Sequence, residues 1–143
     1  MTADLLGFET APAHRINDRA EAAALVEVLQ ALRGNAAVAW VERQNTGAAK
    51  VGERFIRFGW RGCSDLIGML KDGRLLAVEV KAPSGQLRPE QREFLSLVQR
   101  FGGVAFVARD CRDVSRELAA ARIRPMTDRG ALLAARDFKN RKE

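Results

Sequence analysis

The feature that most constrains this chain is a pair of apolar runs on either side of an Asp-Gly turn. The runs cover residues 66–70 and 74–80, and Asp72-Gly73 lies between them. Apolar runs that flank such a turn predict a β-hairpin. The second run ends in Glu79-Val80-Lys81, and side-chain alternation places its two charged residues on one face, opposite the aliphatic side chains that face the core. Burying charge is costly unless the charge is paired or binds a metal.

The length of the turn decides whether a further acid joins this pair. A two-residue loop would direct Asp65 to the opposite face. A three-residue loop, residues 71–73, pairs Leu70 with Arg74 and sets Asp65 opposite Glu79. Glycine at the third loop position favours the type I turn with a G1 bulge, so we expect the three-residue loop.

Two opposed carboxylates indicate a metal site. Directly opposed residues have Cβ atoms about 4.5–5.5 Å apart, so their carboxylates share a divalent, oxygen-seeking ion and repel one another without it. We expect Asp65 and Glu79 to hold Mg²⁺ or Mn²⁺, with the Val80 carbonyl as a further ligand. Lys81 would stabilise charge on a phosphate during in-line attack by water. The expected reaction is phosphodiester hydrolysis.

Composition and charge exclude several other classes of protein. The 143 residues suit one domain, and the net charge of +6 favours an anionic partner such as nucleic acid. The single histidine, His14, and two distant cysteines exclude a His- or Cys-rich zinc site and a C-x-x-C redox motif. With no signal peptide and no apolar run of about 18 residues, we expect a cytoplasmic protein without a membrane partner.

The remaining patterns predict a mixed α/β domain with a mixed central sheet flanked by helices, in the order α-β-β-β-α-β-α. We expect Asp18 to cap a first helix that runs to about Leu32, and residues 46–52 to form a small-residue loop. The expected division is a flexible N-terminal segment, one domain and a basic tail, at residues 1–17, 18–121 and 122–143. The tail is either solvated charge or a phosphate contact.

Over residues 20–120 the chain resembles the VRR-NUC (virus-type replication-repair nuclease) family of the PD-(D/E)xK superfamily. The family's typical motifs are matched in order by Gly62-Cys63-Ser64-Asp65-Leu66, Asp72-Gly73, Glu79-Val80-Lys81 and Pro89-Glu90-Gln91 with Phe94. The stretches 43–47 and 102–107 match its R-x-N-x-G turn and its glycine-led strand. Ser64 replaces the usual proline, and Arg88 replaces the usual Ser or Thr helix cap.

The resemblance implies a restriction-endonuclease-like core with four catalytic residues, namely Asp65, Glu79, Lys81 and Gln91. It further implies a metal-side carboxylate from the first helix, which would be Glu21, with Glu27 as the rival. Two plainer alternatives remain open. Gln91 is within reach of its own helix N-terminus and would cap it, and Glu21 would lie on a solvated helix face.

Residues around this site are candidates for DNA contact, namely Arg43, Asn45, Arg61 and Arg88. Arg43 and Asn45 are alternatively turn residues only. Trp60 is either a core residue or a surface on which a base stacks.

The family resemblance implies a Mg²⁺-dependent DNA endonuclease, structure-specific on branched DNA in the manner of a Holliday-junction resolvase. Its expected setting is repair, recombination or phage replication, and its expected state is a homodimer. Two alternatives remain at this point: a restriction- or defence-type nuclease that cuts plain duplex, and a non-catalytic DNA-binding module on a nuclease fold.

Overall fold

The computed structural model describes residues 15–123, with side chains from residue 20 onward. Its helices and strands are, in chain order, α1 (Arg15–Arg33), β1 (Val38–Arg43), β2 (Gly47–Val51), β3 (Arg54–Phe58), β4 (Leu66–Leu70), β5 (Leu75–Val80), α2 (Pro89–Arg100), β6 (Val104–Ala108) and α3 (Cys111–Ala121). The predictions about His14, about the N-terminal segment up to residue 14 and about the tail from residue 124 lie outside the described residues.

The central sheet is mixed and has the order β1-β4-β5-β6. Strands β1, β4 and β5 pair antiparallel, whereas β5 and β6 pair parallel. Because parallel neighbours need a crossover, α2 connects β5 to β6 across one face of the sheet. On that face Phe94, Leu95 and Val98 pack on Ala77 and Ala105.

The opposite face of the sheet is covered by α1 and α3. Val28 and Leu32 of α1 are fully buried and join a core cluster with Val78 of β5 and Leu118 of α3. Strand β5 therefore lies between two apolar layers, and five of its six residues are buried. This arrangement confirms the predicted mixed sheet flanked by helices.

The β4–β5 hairpin has the predicted three-residue loop. The Leu70 amide donates to the Arg74 carbonyl at 2.9 Å, which leaves residues 71–73 as the loop. Gly73 has φ +89°, in the left-handed region that side chains disfavour. The strand register predicted from the turn residues is therefore confirmed.

The predicted element order was wrong, because five strands rather than three precede α2. Residues 46–52, expected to form a loop, contain β2, which pairs antiparallel with β3 as a separate two-stranded sheet. The reason is physical. Every residue of β2 and β3 is exposed, so β2 has no buried face and hence no alternation of apolar and polar residues to reveal it.

The start of the first helix was also wrong. Helix α1 begins at Arg15, so Asp18 lies inside the helix rather than at its cap, and residues 15–17 are helical rather than loose. The chain from residue 15 to residue 33 contains no glycine or proline. Nothing in the backbone therefore forces a boundary at Asp18.

Candidate active site

The candidate site lies where β4, β5 and α2 converge. Asp65 immediately precedes β4, Glu79 is the penultimate residue of β5, Lys81 follows that strand, and Gln91 is in the first turn of α2. The pairing of Leu66 with Val78 continues by one step to set Asp65 opposite Glu79. The sheet register thus brings together the two acids that the hairpin predicts.

The backbone holds Asp65 firmly on both sides. The Val80 amide donates to Asp65 Oδ2 at 2.8 Å, which ties the carboxylate to the neighbouring strand. The Gln44 amide donates to the Asp65 carbonyl at 2.7 Å, which ties the main chain to the end of β1.

Glu79 is a fully buried carboxylate that carries two polar contacts on one oxygen. Lys81 Nζ lies 3.0 Å from Glu79 Oε1, and Gln91 Nε2 donates to the same oxygen. The lysine is itself only 7% exposed. No described residue hydrogen-bonds to Glu79 Oε2, which is buried as well. A buried carboxylate oxygen without a partner is costly, and a cation shared with Asp65 would satisfy it.

Burial and the neighbouring charges together set the pKa of Glu79. Desolvation, and after it the charge of Asp65, raises the pKa of Glu79 to about 7, and the hydrogen bond and charge of Lys81 only partly oppose this rise. At neutral pH, then, Glu79 keeps a substantial protonated fraction. A divalent cation between the two acids would favour the ionised form.

Gln91 caps its own helix, as the plainer alternative predicted, and also contacts Glu79, while its catalytic role stays a prediction. Its Oε1 accepts the Arg88 amide at 2.9 Å, which caps α2, while its Nε2 donates to Glu79. Arg88 precedes Pro89 at the cap position, but a guanidinium has only donors and satisfies no helix amide. The Gln91 side chain therefore joins the start of α2 to the buried acid.

The chain beyond Lys81 is held by β6. The Lys81 amide donates to the Ala108 carbonyl at 3.1 Å, which extends the parallel pairing past the end of β5. Arg109 then donates through Nη1 to the carbonyls of Ala82 and Gly85, at 3.0 Å in the second case. This clamp fixes the turn that follows the lysine, and nothing in the sequence pattern singled out Arg109.

A cavity of about 410 Å³ opens beside Asp65 and Gln91, and we call it the arginine cleft. Three arginines line it, namely Arg57, Arg61 and Arg88. The last two were predicted DNA contacts, whereas nothing in the sequence pattern singled out Arg57. Arg61 also lies 3.9 Å from Glu90, but at 78% side-chain exposure that pair stabilises the fold little.

A second cavity, of about 300 Å³, lies on the α1 side of Asp65 and is lined by Glu21, Arg43 and Val80. The predicted ligands Glu21 and Val80 therefore share a cavity with Asp65. Within residues 20–123, however, no three His, Cys, Asp or Glu side chains cluster closely enough to hold a metal ion. The ligand role of Glu21 stays a prediction.

Glu27, the alternative candidate ligand on α1, contacts a different part of the chain. Glu27 Oε1 accepts the Cys111 amide at 3.1 Å, at the first residue of α3. Glu27 thereby joins α1 to α3, and of the two candidate acids only Glu21 lines the cavity beside Asp65.

Asn45, a predicted DNA contact, and Trp60, for which the sequence left a core role and a stacking role open, both lie outside the linings of the two described cavities. Asn45 is exposed in the loop between β1 and β2, outside the linings of the two described cavities. Trp60 is 62% exposed and packs edge-on against Phe94, with ring centroids 5.1 Å apart. Trp60 thus supports α2 on one side and presents the rest of its ring to solvent.

A family model for the VRR-NUC domain matches residues 7–110. The chain belongs to the VRR-NUC family. The matched range contains all four candidate catalytic residues and ends just before α3, so the chain carries a nuclease-family domain. No curated protein and no solved structure matches the chain. No helix within the described residues is long and apolar enough to cross a bilayer.

The raised pKa of Glu79 predicts how stability changes with pH in the presence of a chelator. Because the pKa is above its ordinary value in the folded protein, folding favours the protonated acid, and stability falls as the pH rises from 4.5 to 7. Glu79→Gln cannot ionise, so the difference in unfolding free energy between variant and wild type should shift in favour of the variant over that range. Urea denaturation at several pH values measures this.

The matched control is Glu53→Gln, since Glu53 is exposed in the turn between β2 and β3. Its stability difference from wild type should stay nearly constant over the same range. A constant difference for Glu79→Gln as well would contradict the raised pKa.

Proposed function

We propose that this VRR-NUC protein is a Mg²⁺- or Mn²⁺-dependent endonuclease that hydrolyses phosphodiester bonds in DNA, on a core of the PD-(D/E)xK type. The observation that carries the proposal is the buried Glu79, opposite Asp65, with Lys81 and Gln91 on one oxygen and no described hydrogen-bond partner on the other. Burying such a charged group costs free energy, and a strand with only a structural role does not require it.

Asp65 and Glu79 are the residues that would hold the cation, with the Val80 carbonyl beside them. Oxygen ligands of this kind, completed by water, suit Mg²⁺. When bound, such an ion supplies a Lewis acid that activates water and neutralises charge on phosphate. The unpartnered buried oxygen of Glu79 is the feature of this structure that fits the ion.

The other side chains of the site have separate proposed roles. Lys81 favours the ionised form of Glu79 and offers its ammonium to negative charge that develops on the phosphate. Gln91 fixes the orientation of Glu79 from the helix start, and the Arg109 clamp holds the main chain that carries Lys81. The arginine cleft provides guanidinium groups that bind phosphate oxygens as paired donors.

The finer parts of the proposal are a preference for branched DNA, a role in repair, recombination or phage replication, and a homodimer. The resemblance to small junction-resolving members of the family supports them. A single domain presents one such site, and symmetrical cutting of a junction requires two. A dimer is the simplest assembly that supplies the second.

The first prediction of the proposal concerns Lys81. Lys81→Ala should lower the cleavage rate in Mg²⁺ by about 10²-fold or more, because it removes the ammonium that stabilises transition-state charge. Binding of DNA should change little, since many other cations contact the backbone. Single-turnover cleavage and fluorescence anisotropy measure the two quantities.

Lys71→Ala is the control, since Lys71 lies exposed in the β4–β5 loop. It should cut like the wild type. If wild-type protein binds DNA but cuts none of it in Mg²⁺ or Mn²⁺, the chain is a binding module and the enzyme proposal is wrong.

Substrate choice separates a structure-specific nuclease from a duplex-cutting one. We expect a four-way junction or flap to be cut faster than linear duplex of the same length and sequence. The assay uses four-way junction, flap, nicked and linear DNA with Mg²⁺, Mn²⁺ or chelator. Equal rates on linear and branched DNA would favour a restriction-type activity instead.

The proposed dimer predicts a concentration-dependent mass. Light scattering at micromolar protein should give twice the chain mass of 15.8 kDa. A monomer that still cuts both strands of a junction symmetrically would overturn the dimer while leaving the nuclease intact.

A further inference from the structure

The β2–β3 ribbon, residues 47–58, is the most exposed regular structure in the described chain. Each residue of both strands is exposed. An isolated two-stranded hairpin is at best marginally stable in water. This one nevertheless presents large apolar side chains to solvent, with Phe55 68% and Val51 61% exposed. Such a surface is typical of an interface.

The two faces of the ribbon differ in chemistry. Paired residues of antiparallel strands share a face, and the register pairs Ala48 with Arg57 and Lys50 with Phe55. These four residues form what we call the cationic face. The other face carries Gly47 opposite Phe58, Ala49 opposite Ile56, and Val51 opposite Arg54. The cationic face thus carries two of the ribbon's three cations, Lys50 and Arg57, whereas the other face carries one cation, Arg54, among apolar side chains.

The cationic face is continuous with the candidate active site. Ala48 and Arg57 line the arginine cleft together with Asp65, as do Gly47 and Phe58 at the same end of the ribbon. Lys50 lies two residues further along the same strand, about 6.7 Å from Ala48. A row of positive charge thus runs from the acids outward along the ribbon.

We propose that the cationic face of the β2–β3 ribbon binds a double-stranded arm of DNA next to the scissile phosphate. The inference rests on the proposed nuclease function and adds where the flanking DNA lies. The major groove, about 12 Å wide, admits a two-stranded β-ribbon. Lys50 and Arg57 would neutralise phosphates, and Phe55 would contact base edges through its apolar ring.

The position of the charges favours DNA over a protein partner on this face. The core of a protein interface is typically apolar and depleted of lysine, whereas two of the four residues of the cationic face, Lys50 and Arg57, carry positive charge. The apolar side chains Val51, Ile56 and Phe58 lie on the opposite face. Association through that face would leave the cationic face accessible to DNA.

The test measures binding of a junction with double-stranded arms over a range of salt concentrations, in a Lys81→Ala background that does not cut. Lys50→Gln removes one phosphate contact. It should reduce the slope of log K against log salt by about 0.9, and should weaken binding about five- to tenfold near 0.1 M salt. Phe55→Ala should weaken binding to the same DNA with an unchanged slope.

Lys71→Gln is the matched control, because Lys71 is an exposed lysine in a turn of the other hairpin. It should leave both slope and affinity at the background values. Since Lys50 is exposed, its variant should unfold at the same temperature as the background protein. Cleavage by Lys50→Gln with Lys81 intact should show a raised KM and an unchanged kcat.

Three results would overturn the inference. An unchanged slope and affinity for Lys50→Gln, with normal cleavage by the wild type, would overturn the ribbon assignment alone. Weaker binding accompanied by loss of the dimer would make the cationic face a protein interface. Failure of the wild type to cut any DNA with Mg²⁺ or Mn²⁺ would overturn the nuclease proposal and the ribbon inference with it.

Discussion

The buried pair of Glu79 and Lys81 is the interaction on which the rest of this structure depends. Two charges leave water at the end of a central strand, and their attraction offsets the desolvation cost only when further polar groups complete the site. Gln91 supplies one such group from α2, and the opposed carboxylate of Asp65 calls for a cation. The pair therefore depends on the hairpin and the crossover helix meeting in one place, and the proposed ion would complete it.

The neighbouring elements position the side chains and the main chain around Glu79 and Lys81. The β4–β5 turn sets the register that brings Asp65 opposite Glu79, and the Val80 amide fixes the orientation of Asp65. The parallel strand β6 holds the main chain at Lys81, and Arg109 fixes the turn that follows. The apolar layers on both faces of β5 exclude water from this position, and the lower dielectric constant strengthens the interactions between the charges.

The proposed DNA-binding surface and the proposed catalytic centre occupy adjoining but distinct parts of the chain. Glu79 and Lys81 are buried and Asp65 is half-buried, whereas the arginines of the cleft and the lysine of the ribbon are exposed. A rigid, dehydrated centre favours catalysis. An exposed cationic surface favours association with phosphate, with an affinity that depends on salt. In this domain the buried centre and the exposed cationic residues lie at different positions along the same side of the molecule, so one domain can meet both requirements.

The sequence by itself determined the hairpin register, the mixed sheet and the identity of the paired acids. These follow from local rules, because a glycine at the third loop position sets the turn and alternation sets the faces. Only the tertiary structure decided the rest. Glu21, rather than Glu27, came to line the cavity beside Asp65, and Arg57 and Arg109 joined the site from distant strands. The ribbon strand β2 escaped prediction because an element exposed on all sides has no periodic pattern, and which distant side chains meet depends on packing.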